Sequence, residues 1–255
     1  MRSEFGSALK SWRTTRRMSQ MDLGLSANVS ARHISFLETG RSRPSRDMVL
    51  MLCEELDVPR TARNQLLTAA GLAPAYASRP LAEADMAPAR AAVEWLLTRH
   101  DPFPAFAVDR QWHVQKMNNS ANTILAGLGL GPGDSLIGAL AANEDIRAAI
   151  ENLDQVVAYA IARLRTEITH LGSEPVLEAA LADLVALDVS GPLPEGVLPA
   201  FVPTRIRTGG LTLSLFSTIT QFGSAEDVAL SEMKIEMMFP ADDQTRQVLM
   251  TMGGQ

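Results

Sequence analysis

Cysteine is almost absent from this chain: Cys53 is the single one among 255 residues. That excludes an intrachain disulfide framework and any metal site built from several thiolates. Cys53 falls in the apolar run Met48–Leu56, where a small buried hydrophobe is expected rather than a nucleophile. Long uncharged apolar runs are also missing, and the first residues lack the apolar core of a signal peptide. The expectation is a cytoplasmic chain with no membrane partner. Enzyme signatures are absent too: there is no Gly-x-Ser-x-Gly, no P-loop, no His-Glu-x-x-His and no Cys-His metal pattern. His33, His100, His113 and His170 are too scattered to suggest a triad or a metal site. The sequence therefore reads as a non-enzyme with no metal and no cofactor.

What is present is a hydrophobic content of 46%, ample for one large core or two modest ones. Charge divides unevenly. Met1 to Arg79 carries 12 Lys and Arg against 7 Asp and Glu, whereas the remainder carries 11 against 22. A basic head on an acidic body suits a polyanionic partner for the head alone, because local charge sets phosphate attraction.

The punctuation of Ser19 to Pro44, SQMDLGLSANVSARHISFLETGRSRP, fits two short helices joined by a tight turn. Ser19 caps the first, with Asp22 three positions on at the positive helix end. Asn28 stands at the turn and tolerates a left-handed backbone. Ser30 caps the second helix, whose Ile34 and Leu37 point inward while Ala31, Arg32, His33 and Ser35 face solvent or a groove. Thr39-Gly40 closes it. Around this pair the spacing predicts helices over Phe5–Arg17, Asp47–Leu56 and Pro59–Ala70, giving a compact five-helix bundle.

Residues 73–89, with Pro74, Pro80 and Pro88 among small and polar residues, read as a linker between residues 1–72 and 90–255. The second unit opens on a helix over Ala91–Arg99 and two short strands, Ala105–Asp109 and Trp112–Met117. Helical patterns follow over Asn119–Leu128, Leu136–Ala142, Asp145–Leu171 and Pro175–Leu187. Phe201–Arg207 and Leu211–Gln221 read as a hairpin turning at Gly209-Gly210. Met233 to Phe239 alternates as a strand would, although a helix also fits, and Asp242–Met252 is a capped terminal helix. Strands at both ends of a helical insert imply that the hairpins join in one antiparallel sheet with helices on one face, an α+β, sensor-like layout that encloses a pocket readily.

At Ser19–Pro44 the chain resembles the XRE-type helix-turn-helix regulators. That resemblance implies phosphate or base contact by Gln20, groove contact by Ser30, Ala31, Arg32, His33 and Ser35, a brace between Arg13 and Glu38, and phosphate contact by Arg41 and Arg43. Double-stranded DNA is the implied partner. Arg32 can donate two hydrogen bonds to a guanine edge, whereas Arg41 and Arg43 supply sequence-blind affinity. The stretch Phe216–Thr245, together with Trp112, Val114 and Asn118, resembles the MmyB-like regulators, whose ligand-binding half has a PAS-like sheet. Met117 stands where that family usually has an aromatic residue. The resemblance implies a small apolar or fatty-acyl ligand between sheet and helices.

From the residues themselves, Trp95, Phe106, Trp112, Met117, Phe201, Leu213 and Leu215 are the expected inward face, with Asn118, Arg205 or Arg207 available for a polar head group. The reading is a DNA-binding transcription regulator, dimeric on a two-fold site, whose body senses a small ligand. The alternative is a DNA-tethered module that binds a protein and no small molecule.

Overall fold

The computed structural model describes residues 4–172, 174–187, 189, 202–223 and 227–253. The chain divides into two units, with the main break between Ser78 and Arg79.

The first unit is built on five helices: α1 (Glu4–Thr15), α2 (Gln20–Ser26), α3 (Ala31–Thr39), α4 (Arg46–Glu55) and α5 (Arg60–Ala69). Phe5, Leu9 and Trp12 recur at helical spacing on α1 and are buried together with Leu23, Ile34, Leu37, Leu52 and Leu67. Ser19 caps α2 in a reciprocal capping box with Asp22, and Ser30 accepts the His33 amide at the start of α3. The turn between α2 and α3 passes through Asn28 at φ 52°, a left-handed conformation that asparagine tolerates. Gly24 lets α2 approach that turn, because a Cβ there would lie 2.7 Å from the Val29 carbonyl oxygen. Gly40, at φ 74°, ends α3 with its N–H donated back to the last carbonyls.

In the second unit, a short 3-10 turn (Ala84–Met86) precedes α6 (Ala87–His100) within the stretch expected to be a linker, and Met86 is buried. There follow β1 (Ala105–Val108), β2 (Val114–Met117), α7 (Asn119–Gly127), α8 (Leu136–Ala142), α9 (Glu144–Ala149), α10 (Leu153–Leu171) and α11 (Pro175–Ala186). The unit closes with β3 (Thr204–Thr208), β4 (Leu211–Gln221), α12 (Val228–Glu232), β5 (Lys234–Pro240) and α13 (Asp243–Gly253).

The five strands form one antiparallel sheet in the order β2-β1-β5-β4-β3. The ambiguous Met233–Phe239 stretch is thus strand, and it is β5 that joins the two hairpins, since β1 pairs with it on one side and β4 on the other. β1 is buried on both faces: Ala105 and Ala107 pack with Val93 and Leu97 of α6 and with Ile235, while Phe106 faces a cavity beneath α7, α8, α9 and α10. The single helix expected over Asp145–Leu171 is two. Between them Ile150 bridges Ile206, the Glu151 amide donates to the Arg205 carbonyl, and the Asn152 side chain bonds both Pro203 O and Arg205 N. These bonds to the free edge of β3 replace helical hydrogen bonds, so the helix breaks where it touches the sheet.

Burial in the first core pushes the Cys53 thiol up to about 12, against an opposing pull from Arg63. A thiol held there is protonated at neutral pH. Alkylation of the folded protein at pH 8 should therefore run slower than that of the unfolded chain by a factor on the order of 10³. Mass spectrometry after timed iodoacetamide exposure, with and without denaturant, checks this; equal rates would contradict it.

Candidate functional site

The second helix of the motif, α3, is held from behind. Arg13 Nε and Nη2 donate to the two Glu38 carboxylate oxygens at 2.6 and 3.1 Å, and Arg13 Nη1 donates to the Met18 carbonyl at 2.7 Å. Both residues are buried. Gln20 Nε2 completes the cluster by donating to Glu38 Oε2 at 2.8 Å, so its amide nitrogen is committed inside the motif. Burial alone would raise the Glu38 pKa, but hydrogen bonds from Arg13 and Gln20 and the charge of Arg13 outweigh it and hold the carboxyl below its ordinary value.

With Ile34, Leu37 and Glu38 turned inward, the opposite side of α3 presents the residues that the sequence singles out. Arg32 is exposed, Ala31, His33 and Ser35 are half-buried, and Arg41 and Arg43 are exposed in the following loop. Ser30 is exposed but already accepts the His33 amide through its hydroxyl. Phe36 is the member that sequence reasoning left in the background. Its ring is approached by two guanidinium groups, with Arg32 Cζ 5.2 Å and Arg41 Cζ 5.9 Å from the centroid. The ring thus sets where both cations sit, a role visible only once helix and loop are folded together.

In the second unit, a cavity of about 210 Å³ lies between the sheet and the helices. Phe106, Trp112, Ile124, Leu140 and Leu215 are among its buried apolar lining, joined by the half-buried Met238. The lining also carries charge. Arg163 and Glu236 both line it, and Arg163 Cζ and Lys234 Nζ each stand 4.1 Å from the Trp112 ring centroid. Trp112 holds a left-handed backbone at φ 67°, unfavourable for a bulky residue, and the packing of its ring between these groups maintains it. A broader groove of about 820 Å³ passes Asp101, Leu211, Gln247 and Thr251, but most of its lining residues are exposed, so the sheet-helix cavity is the better candidate for a ligand.

Of the residues expected to face inward, Phe106, Trp112 and Leu215 meet at this cavity. The others do not. Trp95 is 60% exposed on α6, whose buried face is Val93 and Leu97, with Arg99 5.9 Å over its ring. Met117 is half-buried opposite Phe106 on the strand at the sheet edge, and Leu213 packs with Ile124 and Leu249 without lining the cavity. Arg205 is exposed on the outer strand, while Arg207 donates to the Ala148 carbonyl. Phe201 lies outside the described residues.

Asn118 has a different task from the head-group contact considered for it. Its Oδ1 accepts the Ala105 and Ala121 amides and its Nδ2 donates to the Leu97 and Phe103 carbonyls, so the buried amide ties α6, β1 and the start of α7 together. Glu236, Arg163, Ile124 and Leu140 are lining residues that the sequence reading passed over. The alternation Lys234-Ile235-Glu236-Met237-Met238 carried the signal for Glu236, once read as a strand with one face toward the helices.

Among the described residues there is no group of three or more His, Cys, Asp or Glu side chains placed to hold a metal, and no helix long and apolar enough to cross a membrane.

Removing one partner of the buried pair should be costly, because it strands the other charge. Arg13→Ala should lower unfolding free energy by about 3 to 5 kcal/mol, whereas the paired change Arg13→Met with Glu38→Leu should cost far less. Since the folded Glu38 pKa is depressed, its contribution is complete above the ordinary value of 4.5 and is lost as pH falls through the lower folded value. The stability advantage of the wild type over Glu38→Gln, read from urea titrations, should therefore shrink between pH 7 and pH 3.

Comparison with known families agrees with both halves of this description. A helix-turn-helix domain model matches residues 4–66, and the MmyB-like transcription regulator ligand binding domain matches residues 89–252. No curated protein matches the chain. Both matched families are transcription-regulator domains. With a helix-turn-helix DNA-binding head on a ligand-binding-domain body that takes up well over half of its length, the chain belongs to the MmyB-like transcription regulators.

Proposed function

We propose that this regulator reads a DNA half-site through the outer side of α3 and adjusts its affinity for DNA according to a small apolar ligand held in the sheet-helix cavity. What carries the DNA half is the arrangement at Phe36: two arginines, one from the helix and one from the loop after it, are positioned together on the surface that the buried Arg13–Glu38 pair turns outward. Arg32, at the start of α3, is the reader of base edges, joined by His33, Ser35 and Ala31. Arg41 and Arg43 hold phosphate. Gln20 and Ser30 support this surface through the bonds they make within the motif.

The ligand half rests on the cavity itself. A packed core closes such a space with side chains, whereas here about 210 Å³ persists among large buried residues, with Arg163 and Glu236 as the charged members of the lining. The occupant that suits it has an apolar body and one polar group directed at Arg163 and Glu236. A ligand changes DNA affinity only by binding two arrangements of the protein unequally. A homodimer on a two-fold site supplies two such arrangements, in the spacing of its heads.

Two experiments test the reading. Arg32→Ala should relax base preference at one position by about 1 to 3 kcal/mol in selection from random duplexes, while Arg43→Ala should weaken all duplexes about equally and flatten the salt dependence. Loss of neither would overturn the assignment of the reading surface. For the cavity, mass spectrometry of gently purified protein should find an apolar compound that Ala160→Phe, which places a ring among the lining residues, no longer retains at unchanged circular dichroism. An empty wild-type protein whose melting and DNA affinity respond to no amphiphile would contradict ligand sensing.

A further inference from the structure

The sheet has an edge that no described residue covers. β4 runs from Leu211 to Gln221, but β3 pairs only with Leu211 to Leu215. Beyond that point β4 is paired on one side alone, with Ser217 to Gln221 opposite Met238 to Lys234 of β5.

The direction of the free groups follows from strand parity. Met238 donates its N–H to Pro104 on the β1 side, so on β5 the even residues point away from β4 and the odd ones toward it. Thr218 and Thr220, opposite Met237 and Ile235, therefore hold the bonds to β5. The N–H and C=O of Ser217, Ile219 and Gln221 point outward, where no described residue pairs with them. All five side chains from Ser217 to Gln221 are exposed, including Ile219 at 38%.

An open edge of this length is ordinarily guarded by lysine, proline or a bulge. This one is not. Leu211 to Ala225 contains no charged residue and no proline, and Thr218-Ile219-Thr220 is a β-branched run suited to pairing.

We infer that a second copy of this chain pairs antiparallel along Ser217–Gln221, joining two five-stranded sheets into one across a two-fold axis at Ile219. The segment is self-complementary in that register. Ile219 meets Ile219 of the second copy, Thr218 meets Thr220, and Ser217 meets Gln221, with no like charges opposed. Because the outward groups are those of Ser217, Ile219 and Gln221, these fall at hydrogen-bonded positions, and about six intermolecular backbone bonds form. The inference stands on the sheet alone and does not depend on the DNA reading.

Sedimentation equilibrium of the full chain across the micromolar range is the test. The wild type should be a dimer. Ile219→Pro removes only an outward N–H and Ile219→Lys opposes two charges at the axis. Each should weaken the dimer by about a hundredfold with circular dichroism unchanged. Ile219→Cys adds a check of register that does not depend on weakening. At a hydrogen-bonded pair the two Cα atoms lie about 5.5 Å apart, within disulfide reach, so mild oxidation should cross-link this variant and not Ser217→Cys, whose thiols stand several residues apart. A monomeric wild type overturns the inference. So does a dimer that survives both Ile219→Pro and Ile219→Lys, or cross-linking through position 217 rather than 219.

Discussion

The body of this protein depends on one constraint, the insertion of its last strand between two hairpins that are distant in sequence. β5 bonds β1 with one set of backbone groups and β4 with the other, and the alternation of its side chains follows from that. Ile235 and Met237 are sent toward α6, while Glu236 and Met238 become part of the cavity wall beneath α7 to α10. The charge in the cavity lining, the packing around Trp112 and the open half of β4 are all consequences of where β5 lies and how far it extends.

In the head the corresponding constraint is the buried Arg13–Glu38 pair with Gln20 attached. A buried ion pair is a weak source of net stability, since desolvation offsets most of the attraction, but its geometry is specific. It fixes the roll of α3 about its axis, and that roll decides which residues face outward. Phe36 then sets two guanidinium groups side by side. The head and the body thus differ in build: one presents charge on a surface, the other shelters an apolar space with charge in its lining.

Much of this was legible in the sequence because it is local. Helix caps at Ser19 and Ser30, the left-handed Asn28 and the terminating Gly40 are single-residue signals with a direct physical cause, and each appears in the fold where its chemistry requires. What was not legible depends on tertiary partners. The break between α9 and α10 arises from bonds to β3, more than fifty residues later in the chain. Asn118 is committed by four hydrogen bonds to segments that only folding brings together. Trp95 has the size of a core residue, yet α6 buries the stripe holding Val93 and Leu97 and leaves the indole outside. Periodicity says that a helix has an inner face; neighbours decide which one.

The proposed role of the α3 surface is to read base sequence rather than merely to adhere to a polyanion. It is tested most directly by measuring the affinity of the full chain for a selected duplex and for a scrambled duplex of equal length over a range of salt concentrations. Both affinities should fall as salt rises, with the selected duplex staying tighter by a factor on the order of 10³ or more throughout. Coincident lines for the two duplexes would contradict the account.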